Sequence, residues 1–514
     1  MSFCWRSVSL LASMCMSAGA SWANPVLVDS GAVEGMTKAG VTAYLGIPFA
    51  APPVGDLRWR EPQPVARWQG SRRSVSFAPA CMQSGVSMPG EQPPITNEDC
   101  LYLNIWTPAR SARNLPVIVW IHGGGFKNGS SSMPLYWGDR LARHGVIVVS
   151  VAYRLGPLGF LAHAELTAES AHKSSGNYGL LDQIAALEWV QRNIAAFGGD
   201  PRRVTIAGQS SGAMSVSILM ASPRAKGLFH RAIGQSGGLF EPLQLAPSYL
   251  LTNAERDGAS YAASIGAASL TALRRLPAED LLKGKAAIIS HPIIEPYVLP
   301  ASPYDAFRSG SYNDVPAIVG FNAEEARALV DVSAVKAATF DADIQRSFGA
   351  LPAPLLDAYQ HTTDEQARQA RLDFERDLRF GWDMWAWAQL QAKAGRSRVY
   401  FYFFNQKPPF PAGSVQDGWG ASHFAELWYM FDHLDQESWR WSSADRRLAR
   451  TMSRYWTNFA KNGEPNGAGL PTWPHFSGDN SVLHLGNSVE VDGLPNVDSL
   501  RVFDTVYSTI RGKP

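Results

Sequence analysis

The chain has 514 residues, 46% hydrophobic and 18% charged, with a formal net charge of +1. This composition excludes a disordered or fibrous chain and supports a large packed core. So small a net charge gives no ground for a nucleic-acid or anionic-membrane partner. No like-charge block, low-complexity tract or internal repeat interrupts the sequence.

Residues 1–23 read as a targeting segment. "MSFCWR" carries one basic residue, and "SVSLLASMCMSAGA" is an apolar run too short to span a bilayer. Ser21-Trp22-Ala23 sets small residues where a signal peptidase cuts. Cleavage after Ala23 and export to the periplasm or medium are expected, with no membrane span. A lipoprotein reading through Cys15 is weaker, because Met14 stands where a small residue is expected. Of four cysteines, Cys81 and Cys100 remain after cleavage, and two cysteines in an exported chain read as one disulfide. Its loop of about 20 residues is worth about 3 kcal/mol. A metal site on two cysteines would lack its further ligands.

Next come short apolar runs: "VIVWI" (117–121), "VIVVSVAY" (146–153), "VTIAG" (204–208), "AIVGF" (317–321) and "VYFYFF" (399–404). They are rich in β-branched or aromatic residues and do not alternate, as expected of strands with both faces covered. Between the second and third, "LLDQIAALEWVQRNIAAFGGDP" gives an apolar helical stripe through Leu181, Ile184, Leu187 and Ile194, stopped by Gly198-Gly199-Asp200-Pro201. A further helix starts at Ser211. The alternation predicts an α/β fold with a mostly parallel twisted sheet and helices on both faces. Residues 245–395 are more helical and polar, an insert over the carboxyl edge of the sheet where such folds bind ligands. No linker composition divides 24–514, which reads as one domain.

Two patterns carry chemistry. Gly208-Gln209-Ser210-Ser211-Gly212 fits G-x-S-x-G between a predicted strand and a predicted helix, the context of a nucleophile elbow. Ser210 occupies the centre; Ser211 is one step into the helix. "WIHGGGFKNGS" (120–130) follows another buried strand. Its glycines let backbone amides face an oxyanion, so the hole is assigned to the N–H groups of Gly124, Gly125 and Ser211. Phosphate binding by this loop would need a Gly-Lys-Ser/Thr or Rossmann spacing, and neither is present. His122 precedes the glycines and reads as a support of the loop rather than a base.

With these motifs the chain resembles the type-B carboxylesterase family of the α/β-hydrolase fold, which includes para-nitrobenzyl-type esterases and cholinesterases. The likeness runs through "YLGIPFAAPPVGDLRWREPQP" (44–64), "NEDCLYLNIWTP" (97–108), "HGGGF" (122–126), "VAYRLGPLGF" (151–160), "GNYGLLDQIAALEWVQRNIAAFGGDPRRVTIAGQSSGA" (176–213), "GLFHRAIGQSG" (227–237) and "GASHFAELWYMF" (420–431). The resemblance implies that Cys81–Cys100 is the family's first disulfide and that Arg58 and Glu98 form a structural ion pair. It departs from the family at Gln209 and Ser211, where Glu and Ala are usual.

A serine hydrolase of this fold needs an acid and then a His after the serine. Seven histidines follow the elbow: His230, His291, His361, His423, His433, His475 and His484. The residues alone do not choose between them; the resemblance implies His423. It likewise matches "VGFNAEEARALV" (319–330) to the segment that carries the acid, implying Glu325, with Glu324 as the alternative and Ala326 replacing the usual Gly. Ser236, in "GQSG", matches a serine near that acid, where it either hydrogen-bonds or merely turns the chain.

The implied reaction is hydrolysis of a small-molecule carboxylic ester through an acyl-enzyme, with no metal and no organic cofactor. The 17 Trp, 23 Phe and 16 Tyr supply candidates for a pocket wall, namely Phe126, Tyr136, Trp137, Phe240 and Trp419, for each of which core packing is an equal reading. The segment 127–138 reads as a rim. Hydrolysis of amides, lactones or lipid esters would use the same groups. A non-catalytic adhesion relative would lack the serine, the His or the glycines, and all are present.

Overall fold

The computed structural model describes residues 19–88, 90–109, 113–349 and 351–512. Most of the expected targeting segment, with Cys4 and Cys15, therefore lies outside the described residues. Ser21–Trp22 pairs antiparallel with Met36 and Thr37, and the Arg73 guanidinium lies 4.9 Å from the centre of the Trp22 ring. Cleavage after Ala23 would remove that short strand.

The apolar runs form a parallel array: β1 (Leu115–Ile121), β2 (Ile147–Val151), β3 (Gly199–Gln209), β4 (Arg231–Gln235), β5 (Ala317–Asn322), β6 (Val399–Phe404) and β7 (Ser481–Leu485). Their order is β2-β1-β3-β4-β5-β6-β7, and antiparallel strands extend both edges to twelve strands among the described residues. Every residue of β2, β5 and β6 is buried, as strands between two helical layers must be. Sequence reasoning missed β4 and β7, since "RAIGQ" and "SVLHL" are too short and too polar for a buried-strand signal.

Helix α1 (Tyr178–Asn193) carries the chain from β2 to β3 and buries Leu180, Ile184, Leu187 and Trp189. A 3₁₀ turn follows, and Gly198 ends it with φ 90°, the stop the sequence signals. Because the chain leaves β1 to one side and returns to the other, β1 and β3 are neighbours, with Ile121 opposite Gly208. The loops after them therefore meet at the switch point of the sheet, where α/β folds place their ligands. Helix α2 (Ser211–Ala221) starts directly at that point. A methyl group on Gly212 would lie 2.1 Å from the Ile121 carbonyl oxygen, so only glycine lets the helix start so close to β1.

The stretch 245–395 is helical on either side of β5, which threads it into the sheet. After β5 run α3 (Asp364–Arg376) and α4 (Trp382–Ala394), joined by a π-helical turn, Asp377–Gly381. Cys81 and Cys100 are disulfide-bonded. Beside them Arg58 and Glu98 form a two-pronged ion pair, Nε–Oε1 and Nη2–Oε2 both 2.6 Å. Arg58 also donates to the Arg274 carbonyl oxygen at 3.0 Å, so the pair ties the N-terminal segment to the helical region. Among the described residues no helix is long and apolar enough to cross a membrane.

Candidate active site

Ser210 sits between the last residue of β3 and the first of α2 with φ 58° and ψ −128°, a region costly for any residue with a side chain. Its N–H donates to the Gln235 carbonyl oxygen of β4 at 2.8 Å, and its carbonyl oxygen accepts from Met214 at 2.9 Å. The turn is thus over-determined on both sides, and the strain it stores holds the hydroxyl at the rim of the sheet. The glycine loop after β1 lies against it: a methyl group on Gly123 would be 3.0 Å from Ser210 Cβ. Gly124 has φ 110°, and a methyl group there would meet the Asn128 carbonyl oxygen at 2.1 Å. Among the described residues, none accepts a hydrogen bond from the N–H groups of Gly124, Gly125 or Ser211.

His122 braces this loop. Its ring stacks on Tyr153 with centroids 4.5 Å apart, its Nδ1 lies 2.9 Å from the Gly123 carbonyl oxygen, and the Tyr153 hydroxyl donates to the His122 carbonyl oxygen at 2.8 Å. Burial pushes the imidazole down to about 4, so it stays neutral at ordinary pH.

His423 lies on the loop that follows β6, and its Nδ1 is 2.6 Å from Glu325 Oε2 at the end of β5. Both side chains are buried. The second oxygen of Glu325 accepts the Asn322 N–H at 2.7 Å, which fixes the carboxylate to its own strand. Glu324 points elsewhere. Its Oε2 accepts the Ala421 N–H at 2.9 Å while its own N–H donates to the Ala421 carbonyl, and Arg327 and Lys407 neutralise it. It pins the His423 loop without reaching the imidazole. Gln209 closes the group: its Nε2 donates to the His423 carbonyl oxygen at 2.6 Å, joining the elbow strand to that loop. The Ser210 hydroxyl itself makes no hydrogen bond among the described residues, and Gln209 links the elbow to the main chain of His423, not to its imidazole. Serine–imidazole contacts commonly tighten only when substrate binds. The other candidate histidines are engaged away from the elbow, His433 with Asp139 and the Leu135 carbonyl, His361 stacked on Phe340, and His475 exposed.

A second buried carboxylate, Glu426, sits behind the pair. It accepts from Gln235 Nε2 at 3.1 Å and from Asn322 Nδ2 at 2.5 Å. Burial, reinforced by the nearby Glu325 charge, pushes it up to about 8. The folded chain then keeps a proton that the unfolded chain releases near 4.5, so this contribution to stability is full below that pH and is lost as pH rises to about 8. Glu426→Gln removes the titration. Its melting temperature should therefore fall less between about pH 5 and about pH 8 than that of the unaltered chain, and calorimetry showing equal falls would refute this.

The carboxylesterase family model matches residues 23–501. Among curated relatives, the fumonisin B1 esterase of Sphingopyxis macrogoltabida is 38% identical, over 93% of this chain and 90% of its own. The para-nitrobenzyl esterase of Bacillus subtilis (strain 168) is 34% identical, over 91% and 96%. The chain belongs to the carboxylesterase family. A solved structure of a thermophilic PNB esterase superposes on this carboxylesterase with a TM-score of 0.82 at 32% identity, covering 93% of this chain and 99% of the other. The fold is therefore the α/β-hydrolase fold, and the protein is a serine hydrolase of carboxylic ester bonds.

For Ser236 and the candidate wall aromatics of this carboxylesterase the sequence left two readings open. Ser236 has φ 53° and donates its N–H to the Gly320 carbonyl, but its buried hydroxyl forms no hydrogen bond with the acid among the described residues. It is a turn residue. Each of the five candidate wall aromatics packs on another ring: Phe126 meets Phe160, Tyr136 meets Trp120, Trp137 stacks on Phe77, Phe240 meets Phe307 and Trp387, and Trp419 meets Phe410. Of the expected rim, Ser130, Met133 and Leu135 line a cavity of about 390 Å³ opposite Ser87, Glu91 and Trp428, and none of Ser210, Glu325 and His423 lines it. Glu426, Asn322 and Gln235 escaped sequence reasoning; the one available signal was an acid three residues after His423. Among the described residues no group of His, Cys, Asp and Glu side chains could hold a metal ion.

Proposed function

We propose that this carboxylesterase works through Ser210 as nucleophile, His423 as base and acid, and Glu325 as the carboxylate that orients the imidazole. The observation that carries the reading is the 2.6 Å contact between Glu325 and His423 Nδ1, which leaves Nε2 for the serine. Ser210 loses its proton to His423 and bonds to the acyl carbon. The resulting oxyanion takes hydrogen bonds from Gly124, Gly125 and Ser211, each worth roughly 3–4 kcal/mol of barrier. His423 then protonates the departing alcohol as the acyl–oxygen bond breaks. Water, deprotonated by the same imidazole, adds to the acyl carbon; His423 then returns that proton to Ser210 as the acyl–serine bond breaks and the acid leaves. These steps use no metal or organic cofactor.

The names of the relatives support a small-molecule ester as substrate. We also infer export to the periplasm or medium, supported by the apolar N-terminal run and by the disulfide, which persists in oxidising compartments. Treatment with an organophosphate followed by peptide mass spectrometry should find one stable adduct, on Ser210. A label on Ser211, or on no peptide of the elbow, would sink the assignment.

A further inference from the structure

The π-helical turn between α3 and α4 is anchored by a buried carboxylate. Asp377 accepts from the Tyr359 hydroxyl at 2.8 Å, Asn496 Nδ2 at 2.6 Å and Arg376 Nε at 2.8 Å. Arg376 also donates to the Ala323 carbonyl at 3.3 Å, between β5 and the two glutamates. The turn is thus tied to the segment that carries Glu325. A π-turn holds one residue more than an α-turn, so side chains beyond it are advanced by about 100°. Such turns recur at functional sites. Here the turn carries Phe380, whose ring lies on the His423 imidazole with centroids 4.2 Å apart and planes at 23°. Phe424 meets the same imidazole edge-on at 4.8 Å.

We propose that Phe380, carried by the π-helical turn and lying face to face on the His423 imidazole, is a positioning residue for ester hydrolysis that holds the ring in the plane of Glu325 and stabilises it when protonated. This rests on the reading of His423 as the base. The imidazole is neutral before attack and cationic at the transition state of each half-reaction. An aromatic face within about 6 Å attracts a cation through its quadrupole and gains much less from the neutral ring. The contact is therefore stronger in the transition state than in the ground state, which is the condition for it to raise kcat rather than lower KM. Among the described residues Glu325 faces His423 directly, and Glu426 and Tyr402 lie close to Glu325; Gln209, from β3, does not titrate. Substitution at Phe380 leaves all of them in place.

The test compares Phe380→Leu, which keeps apolar bulk without the quadrupole, with Phe380→Tyr, which keeps the stacked face, and with His423→Ala. On a short aryl ester, Phe380→Leu should lower kcat about tenfold with KM changed less than about twofold, and move the acid limb of kcat to lower pH by about half a unit. Phe380→Tyr should restore both. A kcat within about twofold of the unaltered enzyme, an unmoved limb, or a Tyr variant as impaired as the Leu variant overturns the proposal. Activity retained by His423→Ala would instead overturn the assignment of the base, so the two failures are distinguishable.

Discussion

Ser210→Ala should lower kcat for a short aryl ester by roughly ten-thousand- to million-fold and abolish organophosphate labelling. Without the hydroxyl no acyl-enzyme can form, and only oxyanion binding and substrate positioning remain. Ser211→Ala is the control. In the proposed mechanism Ser211 offers its backbone N–H to the oxyanion, and alanine supplies the same N–H at the first position of α2. That variant should keep activity within about tenfold and should still be labelled. Alanine also lacks the hydroxyl while keeping the strained backbone, so circular dichroism should show the fold unchanged. Labelling of the Ser210→Ala protein would move the nucleophile elsewhere.

Glu325→Gln should cost roughly a thousand- to ten-thousand-fold in kcat with little change in KM. The carboxylate accepts at both oxygens, one from His423 and one from the Asn322 N–H. An amide in that place would turn an N–H toward either His423 Nδ1 or the Asn322 N–H. The first option forces the imidazole into the tautomer with its proton on Nε2, unable to accept from the serine; the second breaks the bond that fixes the side chain. Glu324→Gln should cost less than about tenfold, because Glu324 holds the His423 loop at Ala421 and Lys407 without touching the imidazole. The opposite ranking of the two variants, measured as kcat on one ester, would reassign the acid.

What could be read in advance divides along physical lines. The strands β1, β2, β3, β5 and β6 announce themselves as apolar runs because both of their faces are buried, and the elbow and glycine loop are local motifs whose backbone demands only glycine meets. Glu325 and His423 are 98 residues apart, and no local pattern joins them; resemblance to a family brought them forward. Glu426 and Asn322 stayed hidden because their importance lies in burial and in partners from other strands. The π-turn that carries Phe380 departs by one residue from a continuous helical pattern, below what periodicity resolves. The aromatic residues stayed undecided for a simpler reason, since a wall and a core want the same side chains.

The amide at Gln209 has one more consequence. A carboxylate there could donate to the His423 carbonyl only while protonated, and would face that oxygen as a repulsive charge once it ionised. The amide has no such state. The strand that carries Ser210 and the loop that carries His423 are therefore fastened by a link that alkaline media cannot open, and what limits the enzyme at high pH must be sought outside this joint.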